Sequence, residues 1–435
     1  MLLTRFYATL IFISLVFTLI YSNSFISTFA RPKVPLGGPV IADTTLKTEL
    51  VVSGLKAPTS MAFLGPNNIF VTEKNSGMVQ RVVNGTISKV PLVQLNVTKA
   101  DERGLLGVAL SASKNKVFLY YTKVQNQNKS ETIVNSVYSY DVVKDKLANP
   151  RLLLKLPGLP GPQHNGGKLA IGTDDNLYIT IGDVGGSFVG KDSETKAQNY
   201  MNGSEPDGRA GIIRITQDGK PVGNGIVGSA PILNTYYAYG IKNIFGFDFD
   251  PVTGKMWDTE NGPTFGDEIN LVEPGFNSGW VKVQGIWYVQ SQEGQKTEPG
   301  KGEKAPENPT GLVDFGGKGT YSSPEFTWDH SVAPTALRFL NSGKLGAQYE
   351  NEMFVGDAKY GNIYHFRLNQ NRSSLSLDGP LVDRIADKVE EMGNTIFGRG
   401  FGVITDLQVG PDGYLYVLVY DKDDGRIYRI FSMTR

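Results

Sequence analysis

The sequence predicts an all-β protein, a six-bladed β-propeller preceded by an N-terminal hydrophobic targeting segment. Three observations predict it. A unit of two or three short apolar strands recurs over residues 48–435. The composition, with 51 Gly, 20 Tyr and 22 Phe, favours strands and tight turns over helices. No helix-period segment follows the first apolar run. One small sheet cannot bury both of its faces, whereas six packed radially can.

The elements follow in order. Arg5 precedes a nearly unbroken apolar run over 6–20, and Thr28-Phe29-Ala30 is a small-residue pattern suited to signal peptidase. Residues 1–30 therefore read as a signal peptide or a membrane anchor held through 6–20. Either places the body outside the cytoplasm, secreted or on the outer face of the cell membrane. Asn-x-Ser/Thr triplets at Asn84, Asn96, Asn128, Asn202 and Asn371 are compatible with export. Residues 31–47, with Pro32, Pro35 and Pro39, read as a linker. The propeller is expected over 48–435. Its second strands start at Ile69, Val117, Leu177, Met256, Met353 and Leu415, each a Leu-Tyr-Val type of run after a Gly/Asn/Asp turn. Third strands follow at Gly211, Ile363 and Ile427.

Composition excludes several functions. Cysteine is absent, which removes disulfides, thiolate metal sites and cysteine nucleophiles. His164, His330 and His365 are the only histidines and none lie at ligand spacing, so a histidine zinc site is not expected. A metal here would be a hard cation held by oxygen, such as calcium. The formal net charge is zero, which gives no electrostatic case for nucleic acid or for an anionic membrane surface.

In a propeller the first strand of each blade lines the central channel. Counting thirteen residues back from the second strands reaches Gly104 (beside Glu102 and Arg103), His164, Asn243 and Gly402 (near Arg399). Equivalent positions converge at one end of the axis, so these residues are expected to share a pocket. His164 lies in Gly161-Pro162-Gln163-His164-Asn165-Gly166-Gly167-Lys168-Leu169. It reads either as a loop-capping histidine or as a general base held beside glycines that admit a flat ligand.

The motifs Glu102-Arg103-Gly104-Leu105-Leu106-Gly107-Val108, His164-Asn165-Gly166-Gly167-Lys168-Leu169 and Ile181-Gly182-Asp183 occur in that order. Gly240-Ile241-Lys242-Asn243, Glu260-Asn261-Gly262-Pro263 and Asp267-Glu268-Ile269-Asn270-Leu271 follow. Together the chain resembles the soluble PQQ-dependent sugar dehydrogenases, the glucose/sorbosone dehydrogenase family of six-bladed propellers, over about 48–431. The resemblance implies oxidation of an aldose sugar at C1 to the lactone with PQQ and calcium, the electrons passing to an external acceptor. It implies that His164 is the base and Asp183 a carboxylate beside it. Lys242, Asn243 and Lys359 fall on cofactor-contacting positions, as does Glu102 where the family often has glutamine. The carbonyls of Gly262 and Pro263 fall on calcium ligands, with Asp267 and Glu268 adding nearby negative charge.

The sequence departs from the family pattern at the cofactor's carboxylates. Val403 and Thr405 stand where a pair of arginines is usual, and Lys242 replaces another arginine, losing the bidentate fork. Lys242, Lys359 and Arg399 are expected to restore part of that charge, and Arg103 or Arg399 to offset the Glu102 carboxylate. The departure supports an alternative function, a quinone-less propeller acting as an extracellular glycan- or protein-binding module.

Other signals are read as structural. Gly223-Asn224-Gly225-Ile226-Val227-Gly228 matches a dinucleotide fingerprint but lacks a following helix, and is expected to be a loop. Residues 284–321 read as a long insertion overhanging one face. Trp280 is expected in the core, and Trp328 fits either the core or a sugar-stacking role. Asp248, Asp250 and Asp258 are expected to be solvated turn carboxylates.

Overall fold

Strands such as Leu177–Ile181, Met256–Glu260 and Met353–Asp357 are buried along their whole length. A strand covered on both faces reads as a continuous apolar run rather than an alternation. That is why each is rich in Ile, Val, Met, Tyr and Trp. The computed structural model describes residues 32–433 apart from 128–129, 186–193 and 291–298. The expected targeting segment and Asn128 lie outside the described residues. Among the described residues, no helix is long and apolar enough to cross a membrane.

Six sheets of four or more strands follow one another along the chain. The first strands, in order, are Pro58–Gly65, Leu105–Leu110, Leu169–Ile171, Ile244–Phe249, Pro334–Phe339 and Val403–Val409. Each pairs antiparallel with one of the second strands expected from sequence. The first strands touch their neighbours in turn, and Val403–Val409 returns to Pro58–Gly65; the third sheet meets the fourth through Leu177–Ile181. The ring is that of a β-propeller. The sixth sheet takes its outermost strand from the other end of the chain: Leu46–Leu55 pairs with Gly425–Ser432, from Leu46 opposite Ser432 to Leu55 opposite Gly425. This clasp closes the circle by joining the two ends of the ring within one sheet.

Five of the six first strands carry a register shift just after their start, between Pro58 and Ser60, Leu105 and Gly107, Ile244 and Gly246, Pro334 and Ala336, and Ile404 and Asp406. A bulge inserts an extra residue and re-aims its side chain. The extra residues are Thr59, Leu106, Phe245, Thr335 and Thr405, and all five line one cavity. The threonine hydroxyls also stitch sheet to sheet. Thr59 Oγ1 donates to the Leu105 carbonyl at 2.8 Å, Thr335 Oγ1 to Ile404 at 2.5 Å and Thr405 Oγ1 to Pro58 at 3.2 Å.

Two expectations need correction. The linker is structured near its end: Val40–Ile41 adds to the edge strand Ile396–Arg399, and Leu46 already belongs to the clasp. Asp248, Asp250 and Asp258 are buried, not solvated. Asp248 accepts from the Phe339 N–H at 2.9 Å and Asp250 accepts from Arg372 Nε at 2.8 Å, which anchors the fourth sheet to the fifth. Burial, with Glu260 adding to it, pushes the Asp258 carboxyl well above the usual range. Trp328 is core, edge-to-face with Phe326. The insertion contributes a small sheet of its own, Val283–Gln284, Trp287–Gln290 and Gly300–Lys304. Residues 223–228 form turns and bends, as expected for a loop.

Candidate active site

A cavity of about 190 Å³ lies where the bulged strand starts converge. Its most organised wall belongs to the third and fourth sheets. The His164 loop runs through left-handed conformations at His164 (φ 58°), Gly166 (φ 60°) and Gly167 (φ 103°). Such a path is costly for ordinary residues and is accessible here because two of the three are glycine. Gly182 lets the next segment pass close beneath: a Cβ there would sit 2.4 Å from the Lys242 carbonyl oxygen and 2.7 Å from that of His164.

The imidazole of His164 is 7% exposed and both its ring nitrogens are engaged. Nδ1 lies 2.7 Å from Asp183 Oδ1. Nε2 lies 3.2 Å from Lys242 Nζ. Asp183 also accepts from Trp280 Nε1 at 2.9 Å and from the Gly185 N–H at 3.1 Å. Burial pushes its carboxyl up, but His164, Lys242 and the Trp280 N–H outweigh burial and hold it below the usual range. An ionised Asp183 accepts from Nδ1–H, so the lone pair of Nε2 faces Lys242 and the cavity. The imidazole is thus held between Asp183 and Lys242 at the cavity wall.

Glu102 lines the cavity and serves the backbone: its Oε2 accepts from the N–H of His164 at 2.6 Å and of Asn165 at 3.4 Å. Burial raises the Glu102 carboxyl, with His164 and these donors pulling the other way. Its visible work is to hold the histidine loop, beyond the cofactor contact expected of it. Lys242 Nζ also donates to the Gly262 carbonyl at 3.2 Å and lies 5.7 Å from the Trp280 ring centroid. Asn243 and Asn261 line the cavity, and their buried Oδ1 atoms have no partner among the described residues.

The groups expected at a metal are differently disposed. Gly262 lines the cavity and Pro263 does not. Asp267 is fully buried with both oxygens taken: Oδ1 accepts from the Gly262 N–H at 2.9 Å, and Oδ2 from Val332 N, Ala333 N and Ser331 Oγ at 2.6, 2.7 and 2.9 Å. It braces two loops and does not face the cavity.

Cations line the cavity, but they are not the arginines anticipated. Arg399 is exposed at the end of its strand and does not reach the cavity. Arg103 points away, donating to the carbonyls of Gly158 and Gly161 at 2.5 and 2.8 Å. The lining cations are Lys74, Lys168, Lys242 and Lys359. Lys74 Nζ donates to the Asp101 and Arg103 carbonyls, and Lys359 Nζ to that of Ser331 at 2.8 Å. Lys168 reaches from the third sheet to pair with buried Asp406 of the sixth, which also accepts from the Met61 N–H at 2.8 Å. Sequence reasoning missed Lys74, Lys168 and Asp406. Lys168 stands inside the histidine motif, four residues after His164, and that proximity was the available signal.

Val403 and Thr405 do line the cavity, where arginines were anticipated. A family model described as Glucose / Sorbosone dehydrogenase matches residues 55–429. The chain belongs to that family. Family relatives span nearly the whole molecule. Quinoprotein glucose dehydrogenase B of Acinetobacter calcoaceticus is 33% identical over 443 residues, covering 87% of this chain and 87% of that protein. Aldose sugar dehydrogenase YliI of Escherichia coli is 28% identical over 399 residues, covering 89% of this chain and 94% of that one. The fold likewise matches the crystal structure of the soluble aldose sugar dehydrogenase from Escherichia coli in its apo-form. The TM-score is 0.68 at 23% identity, over 89% of this chain and 99% of that chain.

Proposed function

We propose that this protein is an exported six-bladed propeller that oxidises an aldose at C1 to the lactone with PQQ, passing the electrons to an external acceptor. The observation that carries the reading is His164, with Nδ1 held by Asp183 and Nε2 turned to the cavity. Its test is titration of the full-length protein with PQQ, followed by aldose. Binding with bleaching of the quinone on sugar addition is the expected result, and no binding in any buffer would sink the reading.

The lining suits the cofactor. Lys74, Lys168, Lys242 and Lys359 would face its three carboxylates, supplying charge as compact ammonium groups rather than as guanidinium forks. The unpartnered Oδ1 atoms of Asn243 and Asn261 are ready acceptors for its ring N–H. When bound, the quinone supplies the two-electron, hydride-accepting centre. His164 Nε2 takes the proton of the C1 hydroxyl. Asp183 keeps Nδ1 protonated and stabilises the imidazolium that forms. Glu102, through the His164 and Asn165 N–H groups, keeps the loop from drifting under that charge.

The calcium expected at Gly262, Pro263 and Asp267 does not fit the donor set as it stands. The Gly262 carbonyl receives Lys242, Pro263 is off the cavity and Asp267 has both oxygens spent. No step above is routed through a metal. Export rests on the apolar run 6–20, with a signal peptide or an anchor as its two forms. Cell fractionation checks it.

The presence of Val403 and Thr405 in the lining favours a second reading, a quinone-less module that binds a glycan or a protein outside the cell. Failure of the PQQ titration, with ligand binding that survives His164→Gln, is the outcome that selects it.

A further inference from the structure

We propose that Lys242 is the resident cation of this site, a tethered ammonium that takes the place of a divalent ion at the Gly262 carbonyl. Three observations meet at one point. First, Lys242 Nζ stands 3.2 Å from the Gly262 oxygen and 3.2 Å from His164 Nε2, with the Trp280 ring 5.7 Å away. The residue is 3% exposed and its backbone is fixed on both sides. Its N–H donates to Glu260 at 2.7 Å, and its carbonyl accepts from the Asp183 N–H at 2.9 Å. Second, the carboxylate best placed by sequence to balance a divalent ion, Asp267, is consumed by four donors from two loops. Third, Pro263, the other residue expected to offer a carbonyl, is not among the residues that line the cavity.

The residue type matters. A hard divalent cation wants several oxygens free to close around it. At the Gly262 carbonyl, Lys242 Nζ already occupies the approach. A second cation at the same carbonyl would meet that charge in a largely dry setting, where repulsion is poorly screened. Lysine is a compact point charge on a flexible stem, so it can sit at a carbonyl where the planar guanidinium of an arginine would have to address several acceptors at once. Replacing arginine by Lys242 thus does more than lose a fork: it delivers a cation to the position a metal would use.

The inference deepens the reading above, and its cofactor arm rests on that reading while its metal arm does not. For the cofactor arm, PQQ binding to full-length protein is measured by absorbance and tryptophan quenching, in chelator and in millimolar calcium. The wild type should bind equally in both. Lys242→Met should bind about tenfold or more weakly in chelator, the loss of one charge-assisted contact, and should recover with calcium. Wild-type affinity that rises about tenfold with calcium, or a Lys242→Met protein indifferent to calcium, overturns the proposal. For the metal arm, calcium is added to both apo proteins and followed by calorimetry and melting temperature. The wild type should give neither heat nor a rise in melting temperature, and Lys242→Met should gain both. The reverse pattern overturns the proposal even where PQQ binds neither protein. If Lys242→Met fails to fold, the wild-type response to calcium in both arms decides alone. If PQQ fails in every condition while the metal arm behaves as expected, the parent reading falls and the tethered cation stands.

Discussion

The two halves of the channel mouth are built on opposite principles. On the third and fourth sheets, polar side chains are linked in series: Trp280 to Asp183, Asp183 to His164, His164 to Lys242, Lys242 to Gly262. On the fifth and sixth sheets, Thr335, Val403 and Thr405 present small side chains, and the two threonine hydroxyls are turned to the neighbouring backbone. The histidines differ in the same way. His164 has a polar partner at each ring nitrogen, whereas His365 on the fifth sheet stacks on Phe354 with ring centroids 5.1 Å apart and has no partner at Nε2 among the described residues. One half links its polar groups in series around His164; the other is lined mainly by small side chains, with Lys359 and the Lys168–Asp406 pair as its charges. An imidazole becomes chemical equipment only where both ring nitrogens are addressed and one of them faces a cavity.

The largest effect that would break this contrast is at the base. His164→Gln should lower the rate of aldose-dependent dye reduction by roughly 10²–10⁴-fold while PQQ titrates as before. Equal loss of cofactor binding would make His164 a packing residue like His365. Asp183→Asn should cost about 100-fold in kcat with little change in PQQ affinity, because the wrong ring nitrogen then carries the proton. A wild-type rate in that variant would remove Asp183 from the chain of partners.

On the apolar half the test is stability. Burial, with Arg367 adding to it, pulls the His365 imidazole down to about 4 from its ordinary 6.5. Between these values the unfolded chain binds a proton that the folded state refuses. Stability therefore falls as pH drops from about 6.5 to about 4, by on the order of 3 kcal/mol. His365→Phe should flatten that part of the pH–stability curve in denaturant titrations; an unchanged slope would mean His365 is protonated in the fold. Smaller again, Val403→Arg should tighten PQQ binding by about tenfold by adding a charge-assisted contact where the lining is bare. Thr405→Arg should gain less, since it also cuts the hydroxyl tie to Pro58. Arg399→Ala should change neither PQQ affinity nor rate, and stability by no more than about 0.5 kcal/mol. A clear drop in PQQ affinity would bring that arginine back to the site.

The legible parts of this molecule were the periodic and the local. All six second strands begin within a residue or so of where their apolar runs place them, because a strand buried on both faces leaves an unbroken hydrophobic signature. His164 and Asn243 converge as their spacing from those strands requires, and Asp183 and Lys242 join them as the family resemblance implies. What alternation could not show are the bulge residues: Phe245 and Leu106 point into the cavity because each strand slips by one residue there. Nor could spacing show that Lys168 crosses to Asp406, a pairing made by closure of the ring. The acids Asp248, Asp250 and Asp258 sit in turn-like sequence yet are buried, because neighbouring sheets supply their partners or their cover. Arg399 failed for the complementary reason: its strand pairs with residues 40–41 and turns the side chain outward.

The clasp has a consequence for how the molecule can be rebuilt. Leu46 lies directly opposite Ser432, so the two ends of the ring are neighbours across a single strand pair. That pairing has nearly the greatest sequence separation in the molecule, and such pairings are the slowest to find. A circular permutant that joins these ends by a short turn and opens the chain between the first and second sheets would convert the clasp into a hairpin while keeping every other strand neighbour. It should refold faster than the natural order and leave the channel mouth unchanged, with the cost of long-range closure moved to whichever sheet the new ends must complete.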